Sequence, residues 1–188
     1  MISQLLTPLQ YLRIRHPTRL PQLVNWVIPV GASTVVCLAV FGSGLTVDVF
    51  GDNGAIARCL GFLQSLPGFY IAALAAIVAF AGSSMDQPMR GDPPTMTIQT
   101  NGGPQRIELT RRRFLSAMFS YLTALSFVMT LGSIALLAIA KPMAALAATA
   151  WVPSMKFVVS FAYLAAVLHL FSITLWGLYY LGERIHRP

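Results

Sequence analysis

Five arginines between the second and third apolar segments have the clearest capacity for chemistry: Arg90, Arg106, Arg111, Arg112 and Arg113. A guanidinium group donates paired hydrogen bonds to phosphate oxygens, so such a cluster suits a phosphate-bearing ligand. The same arginines would also anchor a membrane protein at the lipid headgroups. Both interpretations stay open. Three arginines at the start of a helix oppose its dipole, which favours the arrival of a negative partner.

Hydroxyl side chains form the second pattern with chemical meaning. In the third apolar segment, every serine and threonine falls within a helical arc of roughly 140°. The six residues are Ser116, Ser120, Thr123, Ser126, Thr130 and Ser133. Hydroxyls on one side of a helix can line a water-filled path for ions, and they can equally hold helices together through bonds to carbonyl groups. The opposite face, which includes Tyr121, is predicted to be the lipid-like side.

One ionisable residue lies inside an apolar segment. His169 is near the middle of the fourth segment, where an ionisable side chain is costly and often functional. That segment offers no carboxylate to relay a proton with it. We therefore favour a neutral imidazole that is satisfied by one hydrogen bond and points inward, toward a hydroxyl of the third segment.

Small residues repeat every three or four positions along the second apolar segment. This spacing predicts a close helix–helix contact, because small side chains let two helices approach where lipid supplies no hydrophobic drive. The partner helix belongs either to the same chain or to another copy. The helix-packing residues are Gly61, Ser65, Gly68 and Ala72.

The sequence contains no pattern typical of an enzyme or a metal site. Its apolar segments contain no aspartate or glutamate, no serine or cysteine nucleophile has a base at a recognisable spacing, and no glycine-rich phosphate loop follows a strand. Two cysteines and three scattered histidines exclude a disulfide scaffold and a zinc module. We expect no catalytic residues, no metal and no cofactor.

Four apolar segments position all of these residues, and each is long enough to cross a bilayer, which takes about 20 residues. They are about Leu23–Val47, a stretch within Ala55–Ala81, Phe114–Ala140 and Phe157–Leu181. Of 188 residues, 56% are hydrophobic and only 10% are charged, which leaves too little polar surface for a soluble fold. The predicted fold class is an all-α integral membrane protein with four transmembrane helices and a small cytoplasmic β-hairpin. The predicted parts are a basic amphipathic N-terminal segment, a first transmembrane hairpin, a cytoplasmic loop, a second transmembrane hairpin and a tail, at residues 1–22, 23–81, 82–113, 114–181 and 182–188.

Basic residues predict the orientation of the chain in the membrane. Ten of the 13 lysines and arginines lie in the N-terminal segment, the middle loop or the C-terminal tail, and three lie on the other side. Since basic residues concentrate on the cytoplasmic side, both termini should face the cytoplasm. We expect a multi-pass protein of the bacterial inner membrane.

Local signals predict structure outside and at the ends of the spans. Residues 96–100 and 105–109 alternate around Asn101-Gly-Gly-Pro, which predicts a β-hairpin packed on the membrane, on the N-terminal segment or on other copies. Its inward-facing residues should be Ile98, Ile107 and Leu109. Thr110 should cap the next helix, and Pro67 should bend or break the second span.

The N-terminal segment has apolar residues at helical spacing, followed by basic ones. This pattern favours an interfacial helix on anionic lipid, and the alternative is a frayed terminus that only sets orientation. The apolar residues are Leu5, Leu6, Leu9, Tyr11 and Leu12.

The layout resembles a known class of protein. A basic N-terminus, a hairpin running into Leu109-Thr-Arg-Arg-Arg-Phe-Leu, and a span rich in serine and threonine look like the small multispan effectors of bacterial anti-phage systems, such as the Hailong channel effector or the Kiwa membrane component. The Hailong resemblance implies a tetrameric ion channel gated by a nucleic-acid oligomer that a partner enzyme makes. The arginines of the cytoplasmic loop would then hold its phosphate chain.

Three functions are consistent with these patterns. The leading hypothesis is an oligomeric ion-channel effector, gated at its basic cytoplasmic region by an anionic signal such as a nucleotide or oligonucleotide. The second is a non-conducting sensor or anchor that recruits a cytosolic partner protein through the hairpin. The third is a holin-like former of membrane lesions. One copy has too few spans to enclose a pore, so conduction requires a homo-oligomer, with a tetramer favoured.

Overall fold

A computed structural model of the protein describes residues 7–16, 20–44, 47–79, 85–88, 93–100, 103–146 and 152–184. Among these residues, four helical segments are long and apolar enough to cross a membrane. We call them the first to fourth spans, and they are Leu23–Gly42, Ala55–Ala79, Arg111–Ala140 and Val152–Gly182. The predicted four apolar helices and the β-hairpin are confirmed.

The α-helices are Ile28–Gly42, Ala55–Leu63, Leu66–Ala79, Arg111–Leu146 and Val152–Tyr179. The β-strands are β1, Thr95–Thr100, and β2, Gly103–Glu108. Shorter elements are a 3-10 helix at Thr7–Arg13, an α-helical turn at Leu20–Gln22, and π-helical turns at Leu23–Val27 and Tyr180–Arg184.

Proline and glycine explain the irregular parts of the first span. Pro29 lacks the N–H that the carbonyl of Asn25 would receive in an α-helix, and the chain winds as a π-helix just before it, with the N–H of Ile28 donating to the carbonyl of Leu23. The α-helix ends at Gly42, because Gly44 takes a φ of +71° that ordinary residues rarely adopt. The span is therefore shorter than the predicted run to Val47.

The second span is broken where the sequence predicts. Its first helix ends at Leu63, two turn residues follow, and its second helix starts at Leu66. Pro67 is the second residue of that helix, where a missing N–H leaves no helical hydrogen bond unmade. The third span ends at Ala140, as predicted, although its helix passes through Pro142 and continues to Leu146. A proline removes one helical hydrogen bond and can bend a helix without ending it.

The third span is the centre of the bundle. It packs against both halves of the second span, against the fourth span and against the 3-10 helix at Thr7–Arg13, while the first span packs against the fourth. The core is densest around the third span's N-terminal half, whose fully or almost fully buried residues are Phe114, Leu115, Met118, Phe119 and Leu122.

The hairpin forms in the predicted region and packs on the N-terminal segment. Its antiparallel register pairs Met96 with Ile107 and closes at Thr100 and Gly103, whose φ of +111° requires a glycine. Leu109 is fully buried, as predicted, and Ile98 packs against the core. Predicted inward-facing Ile107 is half-buried. An isolated bridge between Arg15 and Thr95 joins β1 to the N-terminal segment.

Candidate functional site at the basic end of the bundle

The basic end of the bundle comprises Arg15, Arg106, Arg111, Arg112 and Arg113. Strand β2 carries Arg106 and ends at Glu108, and the third span starts three residues later, so the chain itself brings these arginines to one end. Arg15 joins them through its bridge to Thr95. Arg90, the remaining predicted ligand-binding residue, lies outside the described residues.

Arg112 has a structural partner that its sequence neighbours do not reveal. Its Nε donates to Asp86 at 2.8 Å and its Nη2 to the other carboxylate oxygen at 3.2 Å. Its Nη1 donates to the carbonyls of Ile77 and Val78, both at 3.1 Å. Those carbonyls end the second span, so Arg112 caps one helix while it starts another. Asp86 thus offsets part of the positive charge of the arginine triplet.

The neighbouring arginines are more accessible to ligands because they lack a carboxylate partner among the described residues. Arg106 and Arg113 are exposed and Arg111 is half-buried. Among the described residues, none of the three forms an ion pair with a carboxylate. Thr110 caps the helix as predicted, because its Oγ1 accepts a hydrogen bond from the backbone N–H of Arg113 at 3.3 Å. Arg111 and Arg113 at the start of the helix, together with Arg106 on β2, form a positively charged environment that attracts anions.

Deeper in the bundle, His169 joins three spans. Its Nε2 lies 2.8 Å from the hydroxyl of Tyr121 on the third span, and its Nδ1 bonds to the backbone carbonyl of Asn25 on the first. A carbonyl can only accept, so Nδ1 carries a proton. In the neutral imidazole Nε2 then accepts from Tyr121. The inward orientation of His169 and its bond to a hydroxyl of the third span agree with the sequence prediction. The bond to the Asn25 carbonyl is a second one, which the sequence did not predict.

Pro29 cannot supply the α-helical donor of the carbonyl that His169 uses. Since Pro29 has no N–H, the carbonyl of Asn25 receives no hydrogen bond from it within its own helix. A buried carbonyl without a donor is costly in a membrane. The bond from His169 satisfies it, and Trp26 covers the imidazole with a ring-centroid distance of 5.1 Å.

An aromatic cluster links this interior site to the N-terminal segment. Tyr11 is 3% exposed, stacks on Tyr121 at a centroid distance of 5.3 Å, and places its hydroxyl 3.5 Å from the side chain of Asn25. Burial raises the pKa of Tyr11 to about 12. Tyr121 was expected on the lipid-like face, but it is 5% exposed because the N-terminal segment covers it. That expectation was wrong for this half of the helix.

The rest of the N-terminal segment contacts both the core and the surface. His16 lies edge-on to Phe114 at 5.6 Å, and burial lowers the pKa of its imidazole. Leu9 and Leu12 are exposed on the other side of the 3-10 helix. The predicted Leu5 and Leu6 lie outside the described residues. The predicted seating on lipid stays a prediction, with Leu9 and Leu12 as the side chains available for it.

The hydroxyl arc of the third span packs mainly inside a single chain. Ser126 and Ser133 are fully buried, and Ser116, Ser120, Thr123 and Thr130 are half-buried. Three of the hydroxyls donate to carbonyls of their own helix: Thr123 to Phe119 at 2.7 Å, Ser126 to Thr123 at 2.8 Å, and Ser133 to Met129 at 2.6 Å. The Ser133 hydroxyl also lies 3.0 Å from that of Tyr163 on the fourth span. In this conformation the described bonds of the arc lie mainly within its own helix, with one contact to the fourth span, and its role in a pore stays a prediction.

Two buried hydroxyls, one on the third span and one on the fourth, are unsatisfied. Within the described part of the chain, Thr130 Oγ1 and Ser160 Oγ have no hydrogen-bond partner. Each unpaired buried hydroxyl costs roughly 1–3 kcal/mol. These two atoms would gain hydrogen bonds from water if it entered between the spans.

The small-residue seam of the second span faces outward. Gly61, Ser65, Gly68 and Ala72 are all exposed. A Cβ built on Gly61 or Gly68 would meet no described atom within 4 Å. Of the two predicted uses, packing within the chain does not occur among the described residues, and packing against another copy stays a prediction.

The described residues include no group of three or more histidine, cysteine, aspartate or glutamate side chains that could hold a metal ion. Comparison with protein-family models, curated proteins and solved structures finds no match to this chain.

Proposed function

We propose that this protein is a membrane receptor whose basic end faces the cytoplasm and binds an anionic ligand that carries several phosphates, such as a nucleotide or an oligonucleotide. One observation carries the proposal. Asp86 neutralises Arg112, whereas Arg106, Arg111 and Arg113 have no acidic partner among the residues described. Orientation alone would require positive charge here, but it would not require a hairpin to present part of it.

A binding measurement tests this proposal. In lipid nanodiscs, we replace Arg106, Arg111 and Arg113 jointly by glutamine and measure the binding of inorganic polyphosphate. The affinity should fall by at least about tenfold. The salt dependence of binding should also decrease, because fewer phosphate contacts release fewer counterions. A single-stranded oligonucleotide in a second titration distinguishes a nucleic acid from simple phosphate. Arg58, an exposed arginine at the opposite end of the second span, provides the matched control. Equal affinities of wild type and triple variant would contradict the proposal.

The exposed seam supports assembly into a homo-oligomer as part of this proposal. Gln64 is the tenth residue of the second span, about 14 Å from its start at a rise of 1.5 Å per residue. Its side chain is exposed and has no hydrogen-bond partner among the described residues. An amide facing lipid at that depth is costly, and a second copy can supply both a donor and an acceptor. Gly61 and Gly68 leave room beside it for a close approach.

A larger side chain in the seam should disrupt this assembly. We expect Gly68→Leu to shift the particle mass in native mass spectrometry from an oligomer to a monomer, because the added side chain fills the space that a neighbouring helix would occupy. Gly132→Leu is the matched control, since Gly132 is an exposed glycine of the third span that also meets nothing within 4 Å in the described structure. An unchanged mass for Gly68→Leu would exclude the seam as the interface.

Ion conduction is a second candidate output, and the unsatisfied hydroxyls of Thr130 and Ser160 favour it. In this interpretation the described conformation is closed, and opening lets water reach the third span. Thr130→Val keeps the side-chain shape and removes the hydroxyl, so ion flux in liposomes with polyphosphate should fall while the oligomer mass stays constant. Flux that equals the wild-type value would remove Thr130 from the path. Absence of wild-type flux would leave a non-conducting receptor or anchor.

A further inference from the structure

The short segment from Tyr11 to Arg15 connects the hairpin to the interior of the bundle. At its outer end, the N–H of Arg15 donates to the carbonyl of Thr95 at 2.9 Å, and the N–H of Thr95 donates to the carbonyl of Arg15 at 3.0 Å. Alternate residues of an antiparallel strand direct both backbone groups to the same side. Thr95 therefore directs its N–H and its carbonyl toward Arg15 and away from β2, so β1 has the N-terminal segment as its second neighbour.

The inner end of the segment is held by a single large side chain. Tyr11 precedes Arg15 by four residues, and the N–H of Ile14 donates to the Tyr11 carbonyl at 3.1 Å, which leaves little slack between the two attachment points. The Tyr11 ring stacks on Tyr121 and lies 6.3 Å from Phe114. On the solvent side of the same helix, Leu9 and Leu12 are more than two-fifths exposed.

Two of the residues that Tyr11 contacts inside, Tyr121 and Asn25, also hold His169. Tyr121 provides the hydroxyl at Nε2, and Asn25 provides the carbonyl at Nδ1. Through them, the Tyr11 side chain supports the junction of the first, third and fourth spans. A displacement of Tyr11 exposes the Tyr121 ring and removes a neighbour of the Asn25 side chain.

We infer that residues 11–15 form a strap that couples the hairpin to the His169 junction, so that the position of the hairpin controls how the first span packs against the fourth. This regulation rests on the proposed function for its ligand, since a phosphate-bearing ligand would act on the strap through Arg106 of β2 and through Arg111 and Arg113. The coupling itself needs no ligand. It requires only that the Arg15–Thr95 bridge and the Tyr11 contacts form and separate together.

Hydrogen–deuterium exchange of the full chain in nanodiscs tests the coupling in both directions. Tyr11→Ala should raise exchange at the bridged amides of Arg15 and Thr95 by at least about tenfold, because those amides open when the strap detaches. Gln10→Ala, at an exposed polar position of the same 3-10 helix, should leave them unchanged. Equal exchange in the two variants overturns the inference.

The reverse variant acts on the hairpin. Thr95→Pro removes the N–H that donates to Arg15 and leaves the pairing with β2 intact, and it should raise exchange at the amides of Leu23–Val27. Thr97→Pro is the control, since the N–H of Thr97 faces the same way and has no partner among the described residues. If Tyr11→Ala prevents folding, Thr95→Pro decides alone, and unchanged exchange at Leu23–Val27 overturns the strap.

The same exchange experiment with added polyphosphate separates this inference from the proposed function. Polyphosphate should change exchange at Arg15 and at Leu23–Val27 together in the wild type. Binding that alters neither segment overturns ligand control of the strap and leaves the receptor standing. Absence of binding overturns the receptor, while the ligand-free variants still decide whether the strap exists.

Discussion

Replacing His169 by leucine is expected to lower the free energy of unfolding by roughly 2–4 kcal/mol. Leucine is more apolar than the histidine imidazole, so the cost arises from the groups that lose their hydrogen-bond partner. The Asn25 carbonyl loses its donor, because Pro29 has no N–H to give it, and the Tyr121 hydroxyl loses its acceptor. The midpoint of unfolding in a mixed-micelle titration with sodium dodecyl sulfate, followed by circular dichroism, measures the effect.

A second substitution tests the physical reason. Pro29→Ala restores an N–H four residues after Asn25, so the double variant of His169→Leu with Pro29→Ala should lose less stability than the sum of the two single variants. Leu175→Ala, an exposed position on the same helix as His169, serves as the control and should change stability little. Additive effects of the two variants would show that an N–H at position 29 does not replace His169 at the Asn25 carbonyl.

The second large effect is expected at the basic end, where Arg112→Gln should destabilise the protein by roughly 2 kcal/mol. The variant removes the donors that cap the carbonyls of Ile77 and Val78 and also breaks the bond to Asp86. Asp86→Asn should cost at most about 0.5 kcal/mol, because an exposed ion pair is screened by water and salt. The same unfolding titration, at low and high salt, measures both variants.

Comparison with a neighbouring arginine makes this test specific. Arg113→Gln, at an exposed position of the same triplet, should leave the unfolding midpoint unchanged. If Arg112→Gln and Asp86→Asn were equally destabilising, the ion pair and not the helix cap would be the source of the stability. A loss in Arg113→Gln as large as in Arg112→Gln would mean that the triplet acts only through its total charge.

The hydrophobic pattern and the turn residues are enough to predict much of this fold without knowledge of any long-range contact. Four runs of apolar residues are enough to predict the spans, because a backbone in lipid must satisfy its own hydrogen bonds and so becomes helical. Pro67 placed the break in the second span, Asn101-Gly-Gly-Pro placed the turn of the hairpin, and Thr110 placed the start of the third span. Each of these signals acts within a few residues of itself.

The tertiary structure alone decided which side chains meet. His169 bonds to a residue 144 positions away, Arg112 pairs with a carboxylate 26 positions away, and the Tyr121 face that periodicity assigned to lipid is buried by the N-terminal segment. Periodicity reports that a helix has two faces, but it does not report what covers each face. The seam at Gly61 and Gly68 shows the same limit, since small residues suit a close contact equally well with the same chain or with another. Local forces set the elements, whereas their partners depend on how the whole chain satisfies its buried polar groups.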